Sequence, residues 1–262
     1  MKRTERAMPI ITQVEITEYV TSHIPDFHRA KLEKIKKQKL LALLSGKNPY
    51  LFKAKGLTTP RDLVKAILDA FLSSQEETML GGFLEGLAVF VAEKVHGAHG
   101  KSSTKGIDIE LDKNGTRYFV AVKSGPSWGN SSQIEKMRLD FKAAAKVYRQ
   151  NPDALPVRCI NGCCYGKQTR KTEDKGDYDK LCGQRFWEFI SGDPQLYVKI
   201  VEPIGDKAAE RNAEFLAEYE QVLDKFIEIF RRNLSDADGN VLWDKLTQLS
   251  SEAPVPLEEK YK

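Results

Sequence analysis

Carboxylate and lysine side chains occur together in a predicted β-hairpin, and hydrolytic metal sites use this combination. The segment from 106 to 123 reads GIDIELDKNGTRYFVAVK, in which apolar and polar residues alternate with the period of two that is typical of strands. Asn114 and Gly115 lie between the two alternating runs, and this dipeptide favours a type I′ turn because both residues tolerate positive φ. The sequence therefore predicts an antiparallel hairpin that ends at Lys123.

The turn determines which side chains share a face of this hairpin. Counting back from the turn, Asp108 lies opposite Ala121, and Glu110 lies opposite Phe119. Lys123 is then diagonal to Asp108, at roughly 7–8 Å. The other face is apolar and is expected to belong to a core; it contains Ile107, Ile109, Val120 and Val122. Because an unpaired buried ion costs several kcal/mol, the charged face either forms an exposed Asp108–Lys123 ion pair or binds a ligand.

Two motifs resemble those of a nuclease family. An Ile-Asp at one strand, followed by a hydrophobic strand that ends in x-Lys, resembles the core of the PD-(D/E)XK nucleases. The sequence KSGP from Lys123 is similar to a form found in bacterial type II restriction endonucleases, and GQRFWEFISG at 183–192 resembles a later helix of these enzymes. The resemblance covers residues 79–205. The family pattern has Glu, Asp or Gln two residues before the lysine, where this chain has Ala121, so one metal ligand of the pattern is missing.

A second carboxylate is predicted to compensate for this missing ligand. The run from 79 to 92, MLGGFLEGLAVFVA, carries Glu85 as its one charge, which indicates a buried helix. A lone buried carboxylate needs a metal, a cation or a proton. In the nuclease family a Glu on the helix before the hairpin often belongs to the site, and Glu85 matches that position. The alternatives are a protonated or hydrogen-bonded Glu85, or a relocated ligand at Gln133 or Glu135.

The resemblance implies a Mg²⁺-dependent endonuclease that cuts double-stranded DNA at a specific short sequence, with Mn²⁺ able to substitute. Asp108 and Glu85 would hold the metal, with the Val122 carbonyl and Glu110 as further ligands. Lys123 would orient or activate the attacking water. Because of the missing acidic residue, a DNA-binding protein with an inactive site is a second reading. A repair or mobile-element nuclease of the same superfamily is a third.

The family also implies partners. A homodimer is expected, because palindromic duplex sites mirror a two-fold axis. A cognate DNA methyltransferase would be encoded separately. The sequence shows no secretory signal and no run of ~20 apolar residues that would span a membrane, so a cytoplasmic location is expected.

Several loops carry side chains that suit contacts to DNA phosphates or bases. The expected DNA-binding residues are Lys101, Lys105, Ser124, Trp128, Asn130, Lys167, Arg170 and Lys171. Trp128 would stack or wedge against a base, with a packing role as the alternative. His96 and His99 form a His-x-x-His pair in a Gly/Ser-rich loop, which is weak evidence for a metal.

The four cysteines follow the spacing C-x3-CC-x17-C, without the C-x2-C pairs of a strong zinc motif. They are Cys159, Cys163, Cys164 and Cys182. Free buried thiols are the first expectation, since unpaired cysteine is among the most buried residue types. A structural zinc is the alternative.

The composition and the pattern of elements predict an α/β fold. The chain has 262 residues, is 41% hydrophobic and 30% charged, and carries a net charge of +4, which is compatible with a nucleic-acid partner. We expect a mixed sheet of four to five strands flanked by helices, with helical additions at both ends. The predicted regions are a helical part at 1–73 with a basic face that suits DNA, a nuclease core at 74–205, and C-terminal helices and tail at 206–262.

Local signals also predict where elements begin and end. Pro25 is expected to separate two helices, at 12–24 and 27–44. Capping boxes are expected at Ser74–Glu77 and at Ser132–Glu135. The remaining expected elements are a strand at 155–160, a helix at 182–190, a strand at 196–201, a helix at 207–232 and a helix at 241–249.

Overall fold

The computed structural model describes residues 11–97, 101–168, 173–206 and 208–252. Within these ranges the helices are α1 (Gln13–Lys36), α2 (Leu40–Ser45), α3 (Pro49–Ala54), α4 (Pro60–His96), α5 (Ser131–Tyr148), α6 (Gln184–Ser191), α7 (Leu196–Lys199), α8 (Val201–Gly205), α9 (Ala208–Leu234) and α10 (Trp243–Ser251). The strands are β1 (Ile109–Lys113), β2 (Thr116–Lys123), β3 (Val157–Cys163), β4 (Glu173–Asp174) and β5 (Asp179–Cys182).

The strands form one mixed sheet in the order β1-β2-β3-β5-β4, so the predicted α/β class is confirmed. β1 and β2 are antiparallel, β3 runs parallel to both β2 and β5, and β4 is antiparallel to β5. Lys113 pairs with Thr116, as the turn predicts. The turn residues Asn114 and Gly115 have φ of 51° and 70°, the left-handed values that an Asn-Gly hairpin turn requires.

The sheet is covered by helices on both faces. On one face, Val120 of β2 packs with Leu87 and Val91 of α4 and with Trp187 of α6. On the other face, Phe119 and Ala121 of β2 pack with Met137 and Phe141 of α5. The alternation along β2 therefore has a direct cause, because successive side chains point into two different apolar layers.

The prediction that Ile107 shares a face with Ile109 is wrong. Ile107 packs with Phe119 on the α5 side, whereas Ile109 packs on the α4 side. Strand β1 begins at Ile109, and the Ile107 N–H bonds to the Thr104 carbonyl instead of to β2. The strict alternation of side chains holds only within a strand, so the count does not extend to the turn before it.

Pro25 does not separate two helices, because α1 continues through it. A proline inside a helix removes the bond to the carbonyl four residues earlier, here that of Thr21. Ile16, Val20 and Ile24 are buried with the core around the sheet, and this packing outweighs the local cost. The predicted capping box at Ser74–Glu77 likewise lies inside α4.

The strand predicted at 196–201 is also wrong, because this segment forms the helices α7 and α8. Leu196 and Ile200 are buried while Tyr197 and Val198 are exposed, which is the spacing of one helix face. The fourth strand is β5, and it takes the place beside β3. Cys182 ends this strand, so α6 begins only at Gln184.

The contacts divide the chain into two units, of which the first contains the whole sheet. The first unit takes its residues from Met1–Phe27 and Glu77–Asp206, and the second from His28–Glu76 and Lys207–Lys262. In the second unit, Leu63 and Ile67 of α4 pack with Leu223 and Phe230 of α9. Within this unit, helical segments that are far apart in the sequence thus share one apolar core.

The basic face of α1 is largely occupied by ion pairs inside the second unit. Lys31 lies 2.6 Å from Glu76, and Lys36 lies 3.0 Å from Glu218. Lys37 pairs with Glu33 on the same helix. None of the helices in the described ranges is both long and apolar enough to cross a membrane.

The packing between β3 and α6 predicts that a methyl group added at Gly162 destabilises the fold. A Cβ at Gly162 would overlap the ring of Phe186, a completely buried side chain. We expect Gly162→Ala to lower the free energy of unfolding by about 1–3 kcal/mol, the usual cost of overpacking. Urea unfolding followed by circular dichroism measures this.

Gly82→Ala is the matched control, because a Cβ at this exposed helical position meets nothing within 4 Å. It should stabilise the protein by up to ~1 kcal/mol, the difference in helix propensity. Equal effects of the two substitutions would contradict the packing described here.

Candidate active site

The carboxylate of Asp108 is fixed by the backbone of the neighbouring strand. The Asp108 N–H donates to the Val120 carbonyl at 2.9 Å. The Val122 N–H donates to Asp108 Oδ2 at 2.7 Å. Because N–H and C=O of a strand residue point to the same edge, the Val122 carbonyl is directed to the side on which Asp108 lies.

Helix α4 brings Glu85 to the same place. A Cβ at Gly81, one turn before Glu85, would lie 3.4 Å from the Ser124 Cβ, so the helix passes close to the end of β2. Glu85 Oε1 accepts a hydrogen bond from Lys101 Nζ at 2.6 Å. The Glu85 side chain is 29% exposed, so this pair is at the border between core and solvent.

Asp108 lies near enough to Glu85, Lys123 and Lys101 for their charges to affect its pKa. Burial raises the pKa of Asp108, and the nearby charge of Glu85 raises it further. The Val122 hydrogen bond and the charges of Lys123 and Lys101 lower this pKa but do not cancel the rise. The Lys101 pKa is raised, mainly by its bond to Glu85. The site therefore holds two mutually repelling carboxylates that two lysines only partly compensate.

Lys123 ends β2, and its ammonium lies over an aromatic ring. Its Nζ is 5.1 Å from the centroid of the Trp128 ring. The Lys123 carbonyl accepts a hydrogen bond from the Cys164 N–H at 2.9 Å, which ties the end of β2 to the residue after β3. The structure thus brings Asp108, Glu85 and Lys123 together, as the sequence predicts, and adds Lys101 to them.

Glu110 is engaged elsewhere. Its Oε1 accepts hydrogen bonds from Ser102 Oγ at 2.5 Å and from Thr104 Oγ1 at 2.7 Å. Its Oε2 lies 3.4 Å from Arg117 Nη1. Glu110 therefore ties the loop that carries Lys101 to strand β1.

The position of the missing acidic residue is closed. Ala121 is completely buried in the apolar layer between the sheet and α5. Gln133 forms the capping box of α5 with Asn130, and Glu135 is 3.7 Å from Arg138 on the same helix. The cap thus starts two residues before the Ser132 that the sequence indicated.

No metal cluster is preformed in the parts of the chain that the structure describes. Groups of three or more His, Cys, Asp or Glu side chains able to hold a metal ion are absent from these residues. The site at Asp108 accordingly offers two carboxylates, not three.

The cysteines do not converge on a zinc site. All four thiols are free and buried. Cys163 and Cys182 lie side by side on β3 and β5, but Cys159 belongs to the apolar layer against α5. The structural zinc considered above is therefore not supported.

Cys164 is a residue of the site that the sequence did not identify. Burial raises the pKa of its thiol to about 12, and the charges of Glu85 and Asp108 add to this rise. It also lines a cavity of about 670 Å³ together with Leu84, Tyr165 and Lys167. Only the pairing of β2 with β3 brings this residue to the carboxylates, so no local sequence signal could have found it.

The residues predicted to contact DNA have different environments. Lys105 and Lys167 are exposed, Ser124 lies against α4, and Asn130 caps α5. Arg170, Lys171 and His99 lie outside the described residues. Trp128 is partly buried, and its Nε1 donates to Asn161 Oδ1 at 3.1 Å.

The raised pKa of Asp108 predicts a pH-dependent stability. The pKa of Asp108 is higher in the folded, metal-free protein than in the unfolded chain, so ionised Asp108 opposes folding at neutral pH. Asp108→Asn should therefore raise the melting temperature at pH 7 in the presence of EDTA. The gain should disappear below about pH 4, where the carboxyl is neutral in both states.

Asp193→Asn is the control of opposite sign. Burial raises the pKa of Asp193, but bonds from Lys199 and the Gln195 N–H outweigh this and lower it. Its ionised form stabilises the fold, so Asp193→Asn should lower the melting temperature at pH 7. A loss of stability in Asp108→Asn at pH 7 would contradict the electrostatic picture of the site.

Comparison with known families agrees with this geometry. A family model described as type II restriction endonuclease EcoO109I matches residues 14–212. No match is found among curated proteins. The matched region spans most of the chain and includes the hairpin, Glu85 and Lys123, so the chain belongs to the type II restriction endonuclease EcoO109I family.

Proposed function

We propose that this protein is a Mg²⁺-dependent endonuclease that hydrolyses phosphodiester bonds of double-stranded DNA at a specific short sequence. The observation that carries this proposal is the convergence of Asp108, Glu85 and Lys123 at one end of the hairpin. The family match supports the same class of reaction and favours a restriction enzyme over a repair or mobile-element nuclease.

The donor set fits a hard divalent cation. Mg²⁺ and Mn²⁺ take oxygen ligands, and this site offers the carboxylates of Asp108 and Glu85 and the Val122 carbonyl. The repulsion that raises the pKa of Asp108 would be relieved by a cation between the two carboxylates. When bound, such an ion stabilises charge on the phosphate and lowers the pKa of a coordinated water. Glu110 is the less suitable ligand, because its oxygens already accept bonds from Ser102 and Thr104.

The side chains of the site divide the remaining work. Hydrolysis joins a water oxygen to phosphorus and breaks the bond to one sugar oxygen, which leaves with a proton. Lys123 would orient the attacking water and offset negative charge on the phosphate. The Val122 N–H holds the Asp108 carboxylate in one orientation. Lys101 pairs with Glu85 in the free protein, and a DNA phosphate offers this lysine a second partner.

Sequence-specific cleavage of both strands implies further partners. A palindromic site is matched by a symmetric homodimer, in which each subunit cuts one strand. Lys105, Lys167, Arg170 and Lys171 are the proposed contacts to phosphates and bases. A host that makes such an enzyme needs a separate methyltransferase that protects its own sites.

A second function is favoured by one observation. Ala121 is buried where the family pattern has an acidic residue, and the described residues hold no group of three His, Cys, Asp or Glu side chains able to bind a metal. A protein of this kind would bind DNA without cutting it, and its affinity would not depend on Mg²⁺. Plasmid cleavage with and without Mg²⁺ separates the two functions.

We expect Lys123→Ala to lower the rate of plasmid cleavage at least ~100-fold, the usual effect of removing a group that assists proton transfer or stabilises charge. Circular dichroism should show an unchanged fold. Lys142→Ala is the control, because this exposed lysine on α5 pairs with Asp177 away from the site. Full cleavage by Lys123→Ala, with discrete Mg²⁺-dependent bands, would remove Lys123 from the mechanism.

Metal binding is testable without cleavage. Mg²⁺ should raise the melting temperature of the native protein, because it binds only the folded state. Asp108→Asn and Glu85→Gln should each reduce this rise, whereas Glu135→Gln, at an exposed carboxylate on α5, should leave it unchanged. An equal rise in all four proteins would place the metal elsewhere.

A further inference from the structure

The indole ring of Trp128 is fixed at both its edge and its face. Trp128 lies in the loop after β2, and the centroid of its ring is 5.1 Å from Lys123 Nζ. Its Nε1 donates to Asn161 Oδ1 at 3.1 Å. An indole has no other donor, so this bond orients the ring in its plane. The site residues proposed from the family motif include neither Trp128 nor Asn161 among the groups that act on Lys123.

Asn161 is a buried side chain that is hydrogen-bonded at both ends of its amide. It is 1% exposed and lies in β3 directly beside Ala121. Its Nδ2 donates to the Ala121 carbonyl at 3.4 Å, and its Oδ1 also accepts from the Cys163 thiol at 3.9 Å. Both ends of the amide are satisfied, which leaves one orientation that can accept the Trp128 bond.

The cation over the ring completes this chain of contacts. An ammonium over an indole face is attracted by the ring's quadrupole, and the attraction is strongest where water is excluded. Lys123 and Trp128 are both partly buried, and Trp128 packs against the apolar layer that contains Ala121. A flexible lysine side chain is thereby restricted to conformations near the ring.

The missing acidic residue gives this contact a role. An acidic side chain two residues before Lys123 would lie on the same face of β2 and could orient the ammonium. Here that face carries the buried Ala121, and Trp128 is the group found against the ammonium. The sequence-based expectation is that Trp128 stacks on a base, and the contact with Lys123 gives the ring a different role.

We propose that Trp128 and Asn161 are positioning residues for Lys123: the indole face orients the ammonium, and the Asn161 amide orients the indole. This inference rests on the proposed function, in which Lys123 acts on the scissile phosphate. It assigns Trp128 to the catalytic rate and not to DNA affinity.

Single-turnover cleavage at saturating DNA tests the proposal. Trp128→Leu, which keeps apolar volume but loses the ring, should slow cleavage about tenfold, as expected for loss of one cation–π contact. Its Kd for DNA, measured without Mg²⁺, should not change. Trp128→Phe keeps a ring face and should retain most of the rate. Asn161→Leu should slow cleavage in the native background but not in the Trp128→Leu background, because it acts through the ring.

The matched control is Trp243→Leu. Trp243 lies in the second unit, where Lys53 Nζ is 4.7 Å from its ring centroid, so the chemical change is the same. This variant should leave the cleavage rate unchanged. Trp128→Leu should also have no further effect when added to Lys123→Ala. The proposal would be overturned if Trp128→Leu slowed cleavage tenfold both in the native protein and in Lys123→Ala. It would also be overturned if Trp128→Leu raised the Kd for DNA and left the cleavage rate native.

A readout without cleavage separates this proposal from the proposed function. The ring current of Trp128 should shift the Lys123 Hε resonance upfield in a protein labelled at lysine, and Trp128→Leu should abolish that shift. If the native protein cuts no DNA, the function fails while this shift still reports the contact. A Lys123 resonance at its ordinary position in the native protein would overturn the positioning role whatever the activity.

Discussion

The hydrogen bond from the Val122 N–H to the Asp108 carboxylate joins the two strands of the hairpin at the point where the chemistry is proposed. Asp108 comes just before β1, and its N–H also bonds to the Val120 carbonyl, so both its backbone and its side chain are held by β2. The Val122 bond therefore fixes the position of the carboxylate relative to the backbone of β2. Glu85, Lys101 and Lys123 surround this fixed carboxylate. Burial and the charge of Glu85 disfavour its ionised form, and the two lysines partly offset this.

The cost of burying Asp108 beside Glu85 accounts for the charged residues around them. A half-buried carboxylate beside a second carboxylate is unfavourable, which is why two lysines approach the pair and why a divalent cation would be bound there. Burial raises the pKa of the Cys164 thiol to about 12, and the charges of the two carboxylates add to this rise. The repulsion that destabilises the free protein would thus favour binding of the proposed metal ion.

The absence of an acidic residue at position 121 changes how the site is supported. On the α5 side of β2, the two residues that precede Lys123 are the apolar Phe119 and Ala121. The support for Lys123 comes from Trp128, whose ring the buried Asn161 amide holds in place. The Asn161 amide pairs the β2 backbone with the Trp128 indole, so a change at any of these groups would be felt at the ammonium.

The sequence by itself determined the hairpin, its turn and the identity of its charged residues. The two-residue Asn-Gly turn fixes the pairing register of the strands, and the alternation of side chains then assigns each residue to a face of the hairpin. Both signals act over a few residues, so the sequence contains them. Glu85 was found because one charge in an apolar helix needs a partner. The family resemblance rested on these same local features.

Only the tertiary structure decided the features that depend on distant segments. Pro25 stays inside α1, and the segment 196–205 forms α7 and α8, because burial against other elements outweighs local propensity. Strand β5 brings Cys182 beside Cys163, and the parallel pairing of β2 with β3 brings Cys164 and Asn161 to the site. Residues so far apart in the chain meet through sheet order, which periodicity and spacing do not encode.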